Sequence, residues 1–307
     1  MTVQPLEQSE PRFIPRRSPG RIVGVVIVVI IIAAIVYSLV TNQHFGWPIV
    51  FRYVFNPSIL GGLWLTIALT VIAMVIGLVL GVVLAVMRIS RSALLRGASG
   101  VYIWFFRGTP VLVQLVFWYN LAYLYPSLHL GIPFLPPFFS VNTNSVITPL
   151  TAAILGLSLN EGAYLAEIVR AGIIAVPRGQ GEAATSLGMT RLQSFVQIVL
   201  PQAMRVIIPP AGNETIGMLK TTSLVSVIAL ADLMYSAQSI YAVNYETVPL
   251  LICVSLWYLL LTSLFSIGQS VIERYYGRGT GVAAQVGGLE KAFGLRLPAR
   301  RKTGATR

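Results

Sequence analysis

Six long apolar runs constrain this chain more than any other feature, at residues 22 to 41, 59 to 87, 103 to 125, 147 to 172, 206 to 230 and 248 to 272. A helix needs about 20 residues to cross a hydrocarbon core of roughly 30 Å, and every run is of that order. Backbone polar groups find no water in that core, so such segments must close their own hydrogen bonds as helices. An all-α, polytopic membrane bundle of about six transmembrane helices is therefore expected. With 55% hydrophobic and only 10% charged residues, the composition excludes a soluble globular domain. A net charge of +12 would suggest nucleic acid in a soluble chain. Here the basic residues cluster between and beyond the apolar runs, so membrane lipids with anionic headgroups are the expected counterpart and nucleic acid is not.

The placement of arginine and lysine orients the runs. Arg12, Arg16, Arg17 and Arg21 precede the first, Arg88, Arg91 and Arg96 follow the second, and Arg170, Arg178, Arg191 and Arg205 flank the polar segment after the fourth. Arg274, Arg278 and six further basic residues follow the sixth. The loops near 42 to 58, 126 to 146 and 231 to 247 hold a single basic residue, Arg52. Both termini and the polar segment after run four are thus expected in the cytoplasm. Residues 22 to 41 lack a small-residue cleavage site just after them, which favours a retained anchor over a cleaved signal peptide. The proline- and arginine-rich residues 1 to 21 are expected to form a disordered cytoplasmic tail, and residues 274 to 307 a basic one.

Several residues interrupt the runs. Thr109 before Pro110 has the form of a helix N-cap and first helical residue, which would start the third span near Thr109. Pro209 and Pro210 are expected to break the fifth helix. Gly77 and Gly81 form a GxxxG pair that allows close helix contact, either inside the bundle or between subunits. Proline and glycine in the loop 126 to 146 suggest a compact outer cap.

Ionisable residues inside membrane spans are costly and mark functional sites. Glu161 lies in the middle of the fourth run, about 20 Å along the helix from Thr148. Asn160 adjoins it and Tyr164 follows one turn on, so a carboxylate, an amide and a phenol can meet an ammonium group there. Asn213, Glu214 and Lys220 make the fifth run too polar for lipid. Lys220 either receives a substrate carboxylate or neutralises Glu214 or Glu161. Glu167 and Arg170, three apart, suit an ion pair on one helix.

The polar segment, EAATSLGMTRLQSFVQIVLP from residue 182 to residue 201, is helix-compatible. Ala183 and Ala184 let a helix approach a partner surface, Gly188 permits a turn, and Pro201 can open the next helix. An amphipathic interfacial helix would also use small and polar residues. Glu182, Ala183, Ala184, Gly188, Ile198, Leu200 and Pro201 resemble, at each key position, the EAA loop of ABC-importer permease subunits. FRGTPVLVQL (106 to 115), GAYLAEIVRAGI (162 to 173) and the run from 200 to 228 look like the permeases of polar amino-acid importers, the histidine, glutamine, arginine and opine group. The resemblance covers about residues 59 to 273.

That resemblance implies a five-helix type I importer core at 59 to 273, to which residues 22 to 58 add an N-terminal anchor and outer loop. It further implies that residues 182 to 201 dock on a separate ATPase. The remaining partners implied are a second permease subunit, identical or not, and an extracytoplasmic binding protein that delivers a polar amino acid. The setting implied is the bacterial inner membrane.

The two histidines, His44 and His129, lie far apart, and Cys253 stands alone. No catalytic set, metal-ligand spacing or GxxxxGK[ST] phosphate loop is present, so no catalytic or metal role is expected and ATP with Mg belongs to the partner. Two other readings stay open, an ABC permease for a different small solute and an ion-coupled secondary transporter. The second explains the intramembrane charges but not the EAA spacing.

Overall fold

The computed structural model describes residues 19–130 and 137–276. The expected tails therefore lie almost wholly outside the described residues, as does the tip of the outer loop. The chain divides into two compact units, Met1–Pro48 and Ile49–Arg307.

The described part of the first unit is one apolar helix, α1 (Pro19–Thr41), and its outer end. Asn42 caps the following turn by accepting the amide of His44 at 3.0 Å, and Gly46 reverses the chain at φ 57°. The indole of Trp47 then donates back to the carbonyl of Leu39 at 2.7 Å. Residues 23 to 41 bury nothing within the chain, as a helix bathed in lipid would.

The second unit is built around two long helices, α2 (Pro57–Ile89) and α5 (Pro149–Ile174). Each begins with a proline at its first turn behind a capping side chain. Asn56 accepts the amide of Ser58, and Thr148 with Thr151 forms a reciprocal capping box. Two-thirds of the apolar stretch of α5 is buried, against one-third for α2, so α5 is the central helix of the bundle. Gly77 and Gly81 explain the close fit. A Cβ added at Gly77 would stand 2.8 Å from Cγ of Glu161, and one at Gly81 would stand 2.8 Å from Cβ of Leu165. The GxxxG pair therefore serves packing inside the bundle.

The third run departs from expectation. It is two helices, α3 (Ala93–Gly108) and α4 (Val111–Tyr119), bent by 101° at Thr109–Pro110. Proline disfavours helical geometry in the residue before it, and Thr109 is extended at φ −112°, ψ 142°. Thr109 thus closes α3 instead of opening the next helix, and Pro110 is the cap of α4. The buried amide of Gln114 fills the break, donating to Phe106 O, Thr109 O and Thr109 Oγ1.

The loop between α4 and α5 carries a two-stranded antiparallel hairpin, β1 (Ser127–Leu130) with β2 (Phe139–Asn142), in the register Ser127 to Asn142. These strands are the non-helical element among the described residues. After α5, α6 (Arg178–Ser186) leads to a helix that starts at Arg191 and continues as α7 (Leu200–Thr221). Pro201 stands in the first turn of α7, as expected, although the chain enters that helix from one that Thr190 and Gln193 cap ten residues earlier with a capping box. The expected break at Pro209 and Pro210 fails. A π-helical turn at Phe195–Val199, closed by Leu200 N donating to Phe195 O, carries the ladder up to Pro201. Pro209 and Pro210 lie inside an unbroken α7, with the side chain of Gln269 donating to Pro209 O at 2.7 Å. Neighbouring groups of this kind are what let membrane helices tolerate proline. The helix breaks instead after Ile228, where Ala229 is left-handed at φ 56°, and α8 (Leu233–Asn244) leaves at a bend of 44°. The last helix, α9 (Thr247–Tyr276), returns along α7 and α8.

Candidate functional sites

Two sites emerge, one on the connection between α5 and α7 and one inside the bundle. In the first, α6 presents Glu182 and Ala183 outward and tucks only Ala184 inward, at 4% exposure. The helix ends in a Schellman arrangement: Gly188 N donates to Thr185 O at 3.0 Å and Met189 N to Ala184 O at 3.1 Å. That ending demands a left-handed residue, and Gly188 supplies it at φ 77°. Beyond the turn, Leu187 is 82% and Leu192 72% exposed. Ile198 and Leu200 are half-buried on the π turn and the start of α7, and Pro201 is exposed beside them. These large exposed leucines stand beside a small-residue helix and are uncovered among the described residues.

The second site is centred on α5. Asn160 and Glu161 are 5% and 3% exposed, and Tyr164 is half-buried one turn on. Asn160 is held by α3 and α4: its Nδ2 donates to Phe106 O at 2.7 Å and lies 3.5 Å from Gln114 Oε1. Tyr102 on α3 donates to Leu159 O at 2.9 Å and fixes the same turn. Glu161 Oε1 is buried and has no hydrogen-bond partner. Its charged neighbour is Glu214 on α7, and Glu214 in turn feels Arg107 at the end of α3. The Arg107 guanidinium sits 4.9 Å from the centre of the Tyr164 ring.

The expected substrate residues are thus partly assembled. Asn160, Glu161 and Tyr164 are together, and Glu214 and Arg107 join them from other helices. Asn213 and Lys220 are exposed on α7. Lys220 makes no ion pair with Glu161 or Glu214, so the pairing open in the sequence is not formed within this chain. The ion pair among the described residues is Arg170 with Glu167, at 2.7 Å, as their spacing suggested. Arg107 was not among the residues expected at this site; it is exposed at the end of α3, with its guanidinium over the Tyr164 ring. Among the described residues no group of three or more His, Cys, Asp or Glu side chains gathers as a metal site would require.

A helical membrane bundle with an exposed segment after its central helix and a buried polar centre has the architecture of a transport subunit. Residues 77–277 match the family described as the binding-protein-dependent transport system inner membrane component, and the chain belongs to that family of ABC-importer permeases. It is accordingly a multi-pass inner-membrane transport subunit, with ATP hydrolysis on a separate subunit. Among its relatives are the arginine transport system permease protein ArgU of Corynebacterium glutamicum, 43% identical over 84% of this chain and 81% of that protein, and the L-cystine transport system permease protein TcyB of Bacillus subtilis, 37% identical over 76% and 92%. A crystal structure of an amino acid ABC transporter with histidines superposes with a TM-score of 0.61, at 38% identity over 72% of this chain and 95% of that one. The MetNI methionine ABC transporter in an inward-facing conformation shares the fold, with a TM-score of 0.54 at 19% identity over 71% and 95%.

Proposed function

We propose that this chain carries polar amino acids inward by alternating access, with residues 182 to 201 as the contact to the ATPase and the Glu161 centre as the substrate site. The observation that carries the substrate reading is Glu161 Oε1, buried without a partner beside a second carboxylate. A buried carboxylate left alone costs several kcal/mol, and no cationic partner meets this one among the described residues, which suits a site for a cationic guest. Asn160 and Tyr164 supply neutral polar contacts to orient the guest. Relatives named for arginine and cystine support an amino acid as that guest, and the pairing of Glu161 with a second carboxylate favours a cationic one. Two copies of ATP with Mg on paired ATPase subunits, a second permease subunit and an extracytoplasmic binding protein complete the transporter in this reading. ATP-driven closure of the ATPases would draw the coupling segments together and switch the bundle between its two openings.

The test is uptake by cells whose transporter carries Glu161→Gln. Weaker apparent affinity, greater for L-arginine than for L-glutamine, with normal expression and assembly, is the expected result. Equal uptake of both at wild-type affinity would remove Glu161 from the substrate site. Stabilisation of the purified complex by an inorganic anion or a sulfonate, and by no amino acid, would replace the amino-acid reading by that of another solute.

A further inference from the structure

A second buried carboxylate, away from the Glu161 centre, sits at the helix break that follows Ile228. Asp232 is fully buried and caps α8: its Oδ1 accepts the amide of Tyr235 at 2.8 Å, while Oδ2 is enclosed and has no hydrogen-bond partner. The hydroxyl of Tyr258 on α9 is enclosed and unpartnered in the same way, and Asp232 is the charge that acts on it. Thr66 on α2, with Thr222 and Ser223 of the 3-10 turn Thr222–Ile228, stands around that hydroxyl outside hydrogen-bond geometry. Oxygen atoms from both sides of the break and from two further helices therefore converge. Helix α2 shuts the space from one side, since a Cβ added at Gly62 would stand 2.5 Å from both Asp232 O and Ser236 Oγ.

Donors and acceptors do not balance in this cluster. Thr222 and Ser223 give their protons to Leu219 O and Lys220 O, and Thr66 Oγ1 takes up the amide of Leu233 at 3.1 Å. The hydroxyl protons of Tyr258 and Thr66 are then left to serve Asp232 Oδ2, Thr222 Oγ1, Ser223 Oγ and Tyr258 Oη. Asp232 forms no ion pair among the described residues, so its charge is uncompensated there as well. A buried charge has to be paired or to hold an ion. A water molecule could bring protons to these oxygens but would leave the charge in place. Oxygen ligands gathered about a carboxylate suit a hard cation, and a single carboxylate matches a single positive charge. Interrupted helices are where membrane transporters hold sodium. We propose that Asp232, Tyr258, Thr66, Thr222 and Ser223 bind a monovalent alkali cation, which ties α2, the helix break and α9 into one unit.

The single cysteine of the chain, Cys253, is fully buried on α9 five residues before Tyr258, so its reaction with a thiol-specific dye reports the unfolding of that helix. The experiment follows this reaction on heating in the purified permease–ATPase complex, its other subunits freed of cysteine, in NaCl, KCl or choline chloride at equal ionic strength. The wild type should unfold about 5 to 10 °C higher in an alkali salt than in choline chloride, with the ion about a hundredfold above its Kd. Asp232→Asn should lose that response, although asparagine caps a helix as well as aspartate does. Tyr258→Phe should shift the response to higher salt. Equal midpoints of the wild type in all three salts overturn the site, and so does an Asp232→Asn variant that keeps the full response. Should that variant fail to fold, radioactive sodium decides on the wild-type complex: stoichiometric retention supports the site, and no retention overturns it. Either overturning result leaves the amino-acid reading standing.

Discussion

At the scale of single residues, the clearest message concerns which charges and which missing side chains matter. Gly77 and Gly81 face α5 so closely that a Cβ would fall inside van der Waals contact of Glu161 and Leu165. Gly81→Leu is expected to destabilise the purified protein by about 1–3 kcal/mol, the usual cost of overpacking, in thermal or denaturant unfolding. An unchanged midpoint would mean that α2 and α5 are less tightly apposed. Glu161 was legible in the sequence because a carboxylate in an apolar run stands out. Its company was not, since Glu214 reaches it from a helix whose rotation no local pattern fixes. Lys220 shows the same limit from the other side: its charge suggested a pair, yet it faces outward from this chain. The variants Glu161→Gln and Lys220→Met should therefore act independently, with a coupling energy in a double-mutant cycle below about 0.5 kcal/mol. A larger coupling would show that the two side chains meet within the assembled transporter.

At the scale of elements, the segment after α5 was readable where glycine and Pro201 decide and misread at the prolines inside α7. Gly188 was expected to allow a turn, and the Schellman ending of α6 requires its left-handed backbone. Pro201 stands in the first turn of α7, as expected, with a π turn joining it to the helix before. Pro209 and Pro210 were read by the rules of soluble helices, which stop at proline, yet α7 runs through them packed against its neighbours. The true break after Ile228 has no proline, and no sequence signal announced the left-handed Ala229. Because a β-branched residue at a left-handed position costs about 1–2 kcal/mol or more, Gly188→Val should distort the end of α6. The variant should insert and assemble in the membrane while ATP hydrolysis loses its dependence on substrate delivery. Uptake at wild-type rate with coupled hydrolysis would show that the shape of this turn is not what the ATPase reads.

At the scale of the whole molecule, the number of crossings follows from how the two bent pairs are traversed. Four helices are long and apolar enough to cross alone, and the pairs α3 with α4 and Arg191–Ile228 with α8 bring the count to six if each crosses once. The alternative for either pair is a re-entrant loop, which would reverse every helix after it. The basic residues argue against reversal, because Arg88 and Arg91 before the first pair, with Arg96 in its first turn, and Arg178 and Arg191 after α5 share a side only if the first pair crosses. Single cysteines on a background of Cys253→Ala, whose own side chain is fully buried, can decide between these routes. Ser92→Cys and Thr185→Cys should react only with reagents admitted to the cytoplasm, and Ser140→Cys and Ala242→Cys with impermeant reagents added to intact cells. Ser140→Cys silent from outside and Thr185→Cys reactive there would make α3 with α4 re-entrant. Ala242→Cys silent from outside, with Ser140→Cys reactive, would do the same for the second pair and carry the end of α9 to the outer face. Either result would set a basic cluster against the outer leaflet, so the charge pattern and the labelling stand or fall together.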